Sequence, residues 1–383
     1  MTTKPALWNM PFTKTRRLAA TLLTCLALTA VAGDKGTAVV KIDGKFYSTP
    51  IVTTDGKVVI ASHNKTIYLF NSSGQLQNSF TAGGWIHATP RQLSNGQIAF
   101  GCYDKYFYFL DKDGNFLSRI KPGGRIFTEP AELGDVIAFG TSKGKVAFYN
   151  LRTGETRYAK LGGRVIHGSP LALSNGSVAI GGNSRRFCII DTCANIQARL
   201  KTKGWIMHAK PAETSENQIT IGTYGKRLYS VDTLCNKLWT YKVDGRIHSS
   251  IMATPDNNLI FGSFDGNIYS ISSNGSLTGK YNAGKRVVSS PCMVNDTAFA
   301  ICGMDNNVYL FNTQCRKLGY IKCGGKFFST PIVMHDGTLF CCTMDGLLYF
   351  IAKETVDGIL TGRATEITID AEPMPLESAR NNR

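Results

Sequence analysis

Apolar residues in this chain fall into short runs, four to a group, and the groups return every forty residues or so. The copy from Pro291 to Pro331 shows the pattern: Val287-Val288 ahead of the proline, then residues 298–301, 308–311 and 318–321. Each run has the length of a β-strand. Between runs stand dipeptides such as Asp55-Gly56, Asn95-Gly96, Asp265-Gly266 and Asp345-Gly346, which accept the positive φ of tight hairpins. After the first 32 residues no stretch carries a 3.6-residue periodicity long enough for a major helix. An all-β fold built from repeats follows.

One phrase sets the phase of the repeat: a Gly, a cation or Trp, two or three mostly apolar residues, a small or polar pair, then the anchor. It closes at Pro50, Pro90, Pro130, Pro170, Pro211, Ile251, Pro291 and Pro331. Eight copies of four antiparallel strands predict an eight-bladed β-propeller, whose radial repetition leaves only short sheet edges. In the third run one slot reads Tyr68, Tyr108, Ala147, Cys188, Tyr229, Tyr269, Tyr309 and Tyr349, the pattern of side chains packed between blades. Residues 37–44 match the fourth run of a blade, as at 237–245. An N-terminal strand is therefore expected to complete the eighth blade, whose own chain supplies three strands up to Ile351. The rival for that place is residues 355–360.

The ends of the chain differ from the repeat. Lys14, Arg16 and Arg17 precede a mainly apolar stretch from Leu18 to Ala32 that closes on Ala30-Val31-Ala32, the layout of a cleaved secretory signal. We therefore expect a leader at 1–32, one propeller domain at 33–352 and a flexible tail at 353–383, in a periplasmic or secreted protein that does not span a membrane. A lipid anchor at Cys25 is left open. Loss of the leader removes four cations and no acid, lowering the formal charge from +16 to +12. So basic a protein favours acidic partners, although the charges are spread over every repeat with no long basic run and no specific nucleic-acid motif. Ten cysteines remain after cleavage, at unlike blade positions. That scatter points to buried thiols rather than to a disulfide framework, and no spacing suggests zinc.

Superposing the phrases on their anchors brings the residue after the Gly into one ring: Lys45, Trp85, Arg125, Arg164, Trp205, Arg246, Arg286 and Lys326. A proline-bearing strand belongs on a sheet edge, and the innermost strand of a propeller is such an edge. The ring is thus expected at one mouth of the axial channel, where cations and Trp faces suit an acidic ligand; the competing expectation is that each cation pairs with a neighbouring acid. Two residues further on, the slot reads Tyr47, His87, Phe127, His167, His208, His248, Val288 and Phe328, with the register of repeats four and five inferred because each carries one extra residue. Aromatic packing accounts for this slot better than a metal site, since no carboxylate or thiolate shares it.

The phrases Ser263-Phe264-Asp265-Gly266-Asn267-Ile268-Tyr269 and Thr343-Met344-Asp345-Gly346-Leu347-Leu348-Tyr349 resemble the pyrroloquinoline-quinone-like (PQQ-like) repeat, over about residues 37–352. That resemblance implies two branches. Quinoprotein dehydrogenases hold the quinone and calcium on the channel axis. A second branch, which includes the outer-membrane β-barrel assembly lipoprotein of Gram-negative bacteria, is exported, cofactor-free and acts as an interaction scaffold. The enzymes' docking motif asks for a Trp closing each blade, and here only Trp239 fits. Spacing that stays at 40 or 41 residues also leaves little material for catalytic loops. The expected function is a non-enzymatic, monomeric scaffold that binds a protein or anionic polymer, with no cofactor, no metal and no catalytic residue. The alternatives are a PQQ- and calcium-dependent dehydrogenase, and a lyase or hydrolase on a propeller.

Overall fold

The computed structural model describes residues 29–32, 37–163, 165–214 and 217–370. They form eight antiparallel sheets arranged as the blades of a propeller. Blade 6 is typical: Met252–Ala253 is innermost, followed by Asn258–Gly262, Asn267–Ser272 and, outermost, Leu277–Asn282. The two middle strands of every blade are almost wholly buried, and side chains of neighbouring blades share each apolar cluster, as where Ile260, Ile268, Val287, Phe299 and Phe311 meet between blades 6 and 7. Apolar burial of this kind between sheets is the main stabilising term.

Closure is made by the N-terminal strand. Ala38–Lys41 lies antiparallel to Leu347–Ile351 and stands fourth in blade 8, with Val39 and Val40 buried on its two faces. Thr29–Ala32, the last residues of the expected leader, pairs outside it as a fifth strand. Residues 1–28 lie outside the described residues. The rival closing segment is instead helix α1 (Lys353–Leu360), and Glu366–Thr368 then adds in parallel to Lys317–Lys322 at the outer edge of blade 7. The expectation of a flexible tail from residue 353 is corrected to that extent: Val356 and Ile359 are buried in the core between blades 7 and 8. Residues 371–383 fall outside the description. Among the described residues no helix is long and apolar enough to cross a membrane.

The repeated phrase is not itself a regular strand. The innermost strand follows the anchor, as at Ile51–Val52 and Arg91–Gln92, while the phrase stitches two blades together. Its cation or Trp carbonyl accepts from its own blade (His63 N to Lys45 O, 3.0 Å; Tyr103 N to Trp85 O, 3.0 Å), and its next amide donates to the preceding one (Ile86 N to Ser62 O, 3.3 Å; Ile126 N to Cys102 O, 3.2 Å). The apolar residue carrying that amide fits over a glycine at the end of the preceding second strand. A Cβ on Gly140 would lie 2.4 Å from Ile166 Cγ2, and Gly101, Gly181, Gly222 and Gly262 meet Ile126, Ile206, Ile247 and Val287 in the same way. Gly140→Val is expected to cost about 1–3 kcal/mol by overpacking, measured by urea unfolding, whereas an unchanged midpoint would refute the close fit.

The tyrosine slot of the third strand is buried in all eight blades, including Ala147 and Cys188. Its phenols are satisfied at the turns, with Tyr269 donating to Asp265 (2.9 Å) and Tyr349 to the Gly324 carbonyl (2.9 Å). Among the described residues Trp239 makes the one inter-blade dock of its kind, donating from Nε1 to the Ser273 carbonyl at 2.7 Å. All ten described cysteines are free thiols. Cys341 and Cys342 lie in a regular strand, Leu339–Cys342.

Candidate binding site at the channel mouth

Three layers of side chains line the axis, each supplied by one slot of the phrase. The outermost is the predicted collar. Lys45, Trp85, Arg125, Trp205, Arg246, Arg286 and Lys326 are all exposed, with Trp85 and Trp205 each about half accessible. Arg164 lies outside the described residues. Among the described residues no collar cation takes part in an ion pair; the ion pairs that form lie elsewhere, as in Lys57 with Asp55 and Asp113 or Lys353 with Asp357.

What holds the collar is a second ring that the sequence reading missed. The residue whose amide binds each collar carbonyl reads His63, Tyr103, Ser142, Tyr224, Phe264, Met304 and Met344 in blades 1, 2, 3, 5, 6, 7 and 8, while in blade 4 the Asn183 amide binds the Val165 carbonyl. Arg125 lies 5.6 Å over Tyr103, Arg246 5.5 Å over Tyr224, and Arg286 5.3 Å over Phe264. Trp85 stacks on His63 with ring centres 5.5 Å apart and 8° between planes. Cation–π attraction at these distances biases each guanidinium toward its ring, and its N–H groups remain suited to a planar anion. Between Lys326 and Lys45 a groove is lined by Tyr47, Met344 and Asp345.

The second layer closes the channel. His87, His167, His208 and His248 come together there with Tyr47, Phe127 and Phe328, and His63 joins them from above. His208 is central: its ring lies 5.0 Å from His87, 5.2 Å from His167 and 4.6 Å from His248. His63 Nε2 and His87 Nδ1 are in hydrogen-bond contact at 2.9 Å. The inferred register of His208 is met by a local distortion: the extra residue Met207 is accommodated with His208 at φ +61°.

Burial holds all five imidazoles neutral. It brings His167 and His248 down to about 4; His63 also falls to about 4, helped by the Lys45 charge. His87 is held at about 3 by burial and by its imidazole neighbours, and His208 falls well below 6.5 for the same reasons. Among the described residues no group of three or more His, Cys, Asp or Glu converges as metal ligands would.

Beneath lies a ring of hydroxyls from the residue before each anchor. An amide donates to the next blade's hydroxyl at Thr49 to Thr89 (3.1 Å), Glu129 to Ser169 (3.2 Å), Lys210 to Ser250 (3.1 Å), Ser250 to Ser290 (2.9 Å) and Ser290 to Thr330 (3.2 Å). Thr49 Oγ1 to Thr330 Oγ1, 3.2 Å, joins the last blade to the first. Glu129 and Lys210 have no hydroxyl to offer. Their side chains form an ion pair instead, at 2.8 Å across the axis, with Arg91 3.4 Å from the same carboxylate oxygen. The space between these two layers is ≈ 60 Å³, room for only a few waters.

No protein-family model matches the chain, and no curated protein does. Among solved structures the fold is similar to that of BamB from Moraxella catarrhalis, with a TM-score of 0.69 at 17% identity over 84% of this chain and 98% of that one. The computationally designed Ika8 protein fits as well, with a TM-score of 0.69 at 12% identity over 85% of this chain and 99% of that one. An equal match to a designed protein marks the likeness as one of propeller architecture.

Proposed function

We propose that this chain is an exported, non-catalytic propeller scaffold of the cell envelope, and that its collar captures an acidic segment of a protein partner. The observation that carries this reading is the collar itself: exposed cations without ion-pair partners among the described residues, interleaved with two half-exposed tryptophans. Trp, Tyr and Arg are the residues that dominate protein-binding hot spots, and all three are concentrated at this mouth. The fold shared with BamB is consistent with a scaffold role in outer-membrane assembly. A quinone on the axis fits poorly, because the protein's own imidazole and aromatic rings fill the channel and the free space beneath them is far smaller than the 300 Å³ or more of an ordinary cofactor pocket. The residues present do not form a site for that group.

The test is charge reversal at three collar arginines, Arg125→Glu, Arg246→Glu and Arg286→Glu together. Affinity for a poly-glutamate peptide, measured by fluorescence anisotropy, is expected to fall about a hundredfold, about 3 kcal/mol. The salt dependence of binding should flatten as well. Unchanged affinity would remove the collar from the function.

A further inference from the structure

Five of the six histidines of the chain meet beneath the collar, although they come from five different blades. Packing alone does not ask for imidazole in this layer, since Phe127, Phe328 and Val288 hold the equivalent slot in the remaining blades. We propose that capture of an anion at the collar is coupled to uptake of a proton by the histidine layer, so that an acidic ligand binds more tightly as the pH falls. The inference rests on the collar reading above and adds to it the means of regulation.

The groups facing the imidazoles explain the coupling. His63 and His87 face one another and Tyr47, with Lys45, Trp85 and Tyr103 above them. His167 faces Phe127 and His208; His248 faces His208, Tyr224, Phe264 and Phe328. Arg125, Arg246 and Arg286 lie on the outer sides of Tyr103, Tyr224 and Phe264. Among the described residues the one carboxylate bordering this space is Glu129, already engaged by Lys210 and Arg91. Asp345 lies apart, in the groove between Lys45 and Lys326, so among the described residues a proton added to the imidazoles from solvent finds no free carboxylate against them.

An anion seated on the collar supplies a counter-ion. His63 provides the link, because its ring stacks on the collar Trp85 and its Nε2 contacts His87. A vacant acceptor is also present, since His167 Nδ1 is buried without a hydrogen-bond partner. By linkage, a ligand that eases protonation is itself bound more tightly by the protonated form.

The test uses dextran sulfate, whose charge does not change between pH 8 and pH 6, titrated calorimetrically into the full-length protein in two buffers of different ionisation heat. About two- to threefold tighter binding at pH 6 than at pH 8 is expected, because a coupling near the top of the usual range, about 100-fold, raises an imidazole held at about 4 only to about 6; net proton uptake is expected with it. Circular dichroism confirms that the protein is folded at both pH values. His63→Tyr with His87→Phe places residues already used in the same slots of other blades, and it should abolish most of the proton uptake. His335→Gln, which alters the sixth histidine outside the channel, should retain it. Binding at both pH values with equal affinity and no proton uptake overturns the coupling and leaves the collar reading intact. Absence of binding at either pH removes the collar reading, and the inference falls with it.

Discussion

Lowering the pH from 7 to 4.5 is expected to reduce the melting temperature by on the order of 15 °C, with little change between pH 7 and 9. The five channel histidines set the sign. Their folded-state values lie well below 6.5, so the unfolded chain takes up protons that the folded one refuses. Stability is therefore essentially complete above about pH 7 and declines as the pH falls through 6.5, the difference saturating near pH 4 for His63, His167 and His248 and nearer pH 3 for His87. For His248, which is 7% exposed and held at about 4, the shift corresponds to about 3 kcal/mol. The other four act in the same direction, and together they exceed any single core substitution. Carboxylates held low by hydrogen bonds, such as Asp111, Asp232 and Asp256, begin to contribute only below the ordinary value of 3.8. For His63, His167 and His248 the two effects therefore occupy largely separate pH windows. His248→Phe should shift the acid transition downward, since Phe127 and Phe328 show that the slot accepts that ring. A melting temperature that stays flat from pH 7 to 4.5 would show that the layer is open to water in solution.

The spacing of the anchors, the tyrosine slot and the N-terminal match to a fourth strand were sufficient to read eight blades and their closure, because each recurs at a fixed offset from one proline. The collar was legible for the same reason. Its support was not: His63, Tyr103, Tyr224 and Phe264 lie after the second strand, in a turn whose residues vary, and only the carbonyl bonds of the phrase bring them under the cations. The phrase read as a strand because it is apolar and extended, yet its donors and acceptors are divided between two blades. The glycine slot was hidden by Ala61, Cys302 and Cys342, which take the same place in the other blades. The Glu129–Lys210 pair had one visible sign, two charged residues in a ring otherwise made of hydroxyls. Helix α1, at eight residues, is too short for periodicity to declare it.

Ending the chain after Ala352 is expected to destabilise the propeller by about 3–6 kcal/mol. Val356 and Ile359 are each 1% exposed and pack with Val39, Ile321, Tyr349 and Ile351; burying such side chains is worth about 1.5–3 kcal/mol each, an upper bound because the unfolded chain is itself partly compact. The contact is close enough to explain Gly319, where a Cβ would lie 2.6 Å from Ile359 Cγ2 and 2.7 Å from the Thr365 carbonyl oxygen. Removal also strips the parallel pairing of Tyr320, Ile321 and Lys322 with Glu366, Ile367 and Thr368, leaving blade 7 with an open edge. A tail that only masked the mouth would instead raise affinity for anions on truncation and leave stability alone. The segment to Asp370 runs along the outer edge of blade 7, so the loss should appear in the melting temperature, as a fall of several degrees, with self-association through the exposed edge visible by light scattering. Ending the chain after Asp370 keeps α1 and the added strand, and that variant should melt with the full-length protein. Equal melting temperatures for all three chains would show that the helix and strand contribute nothing to the ring.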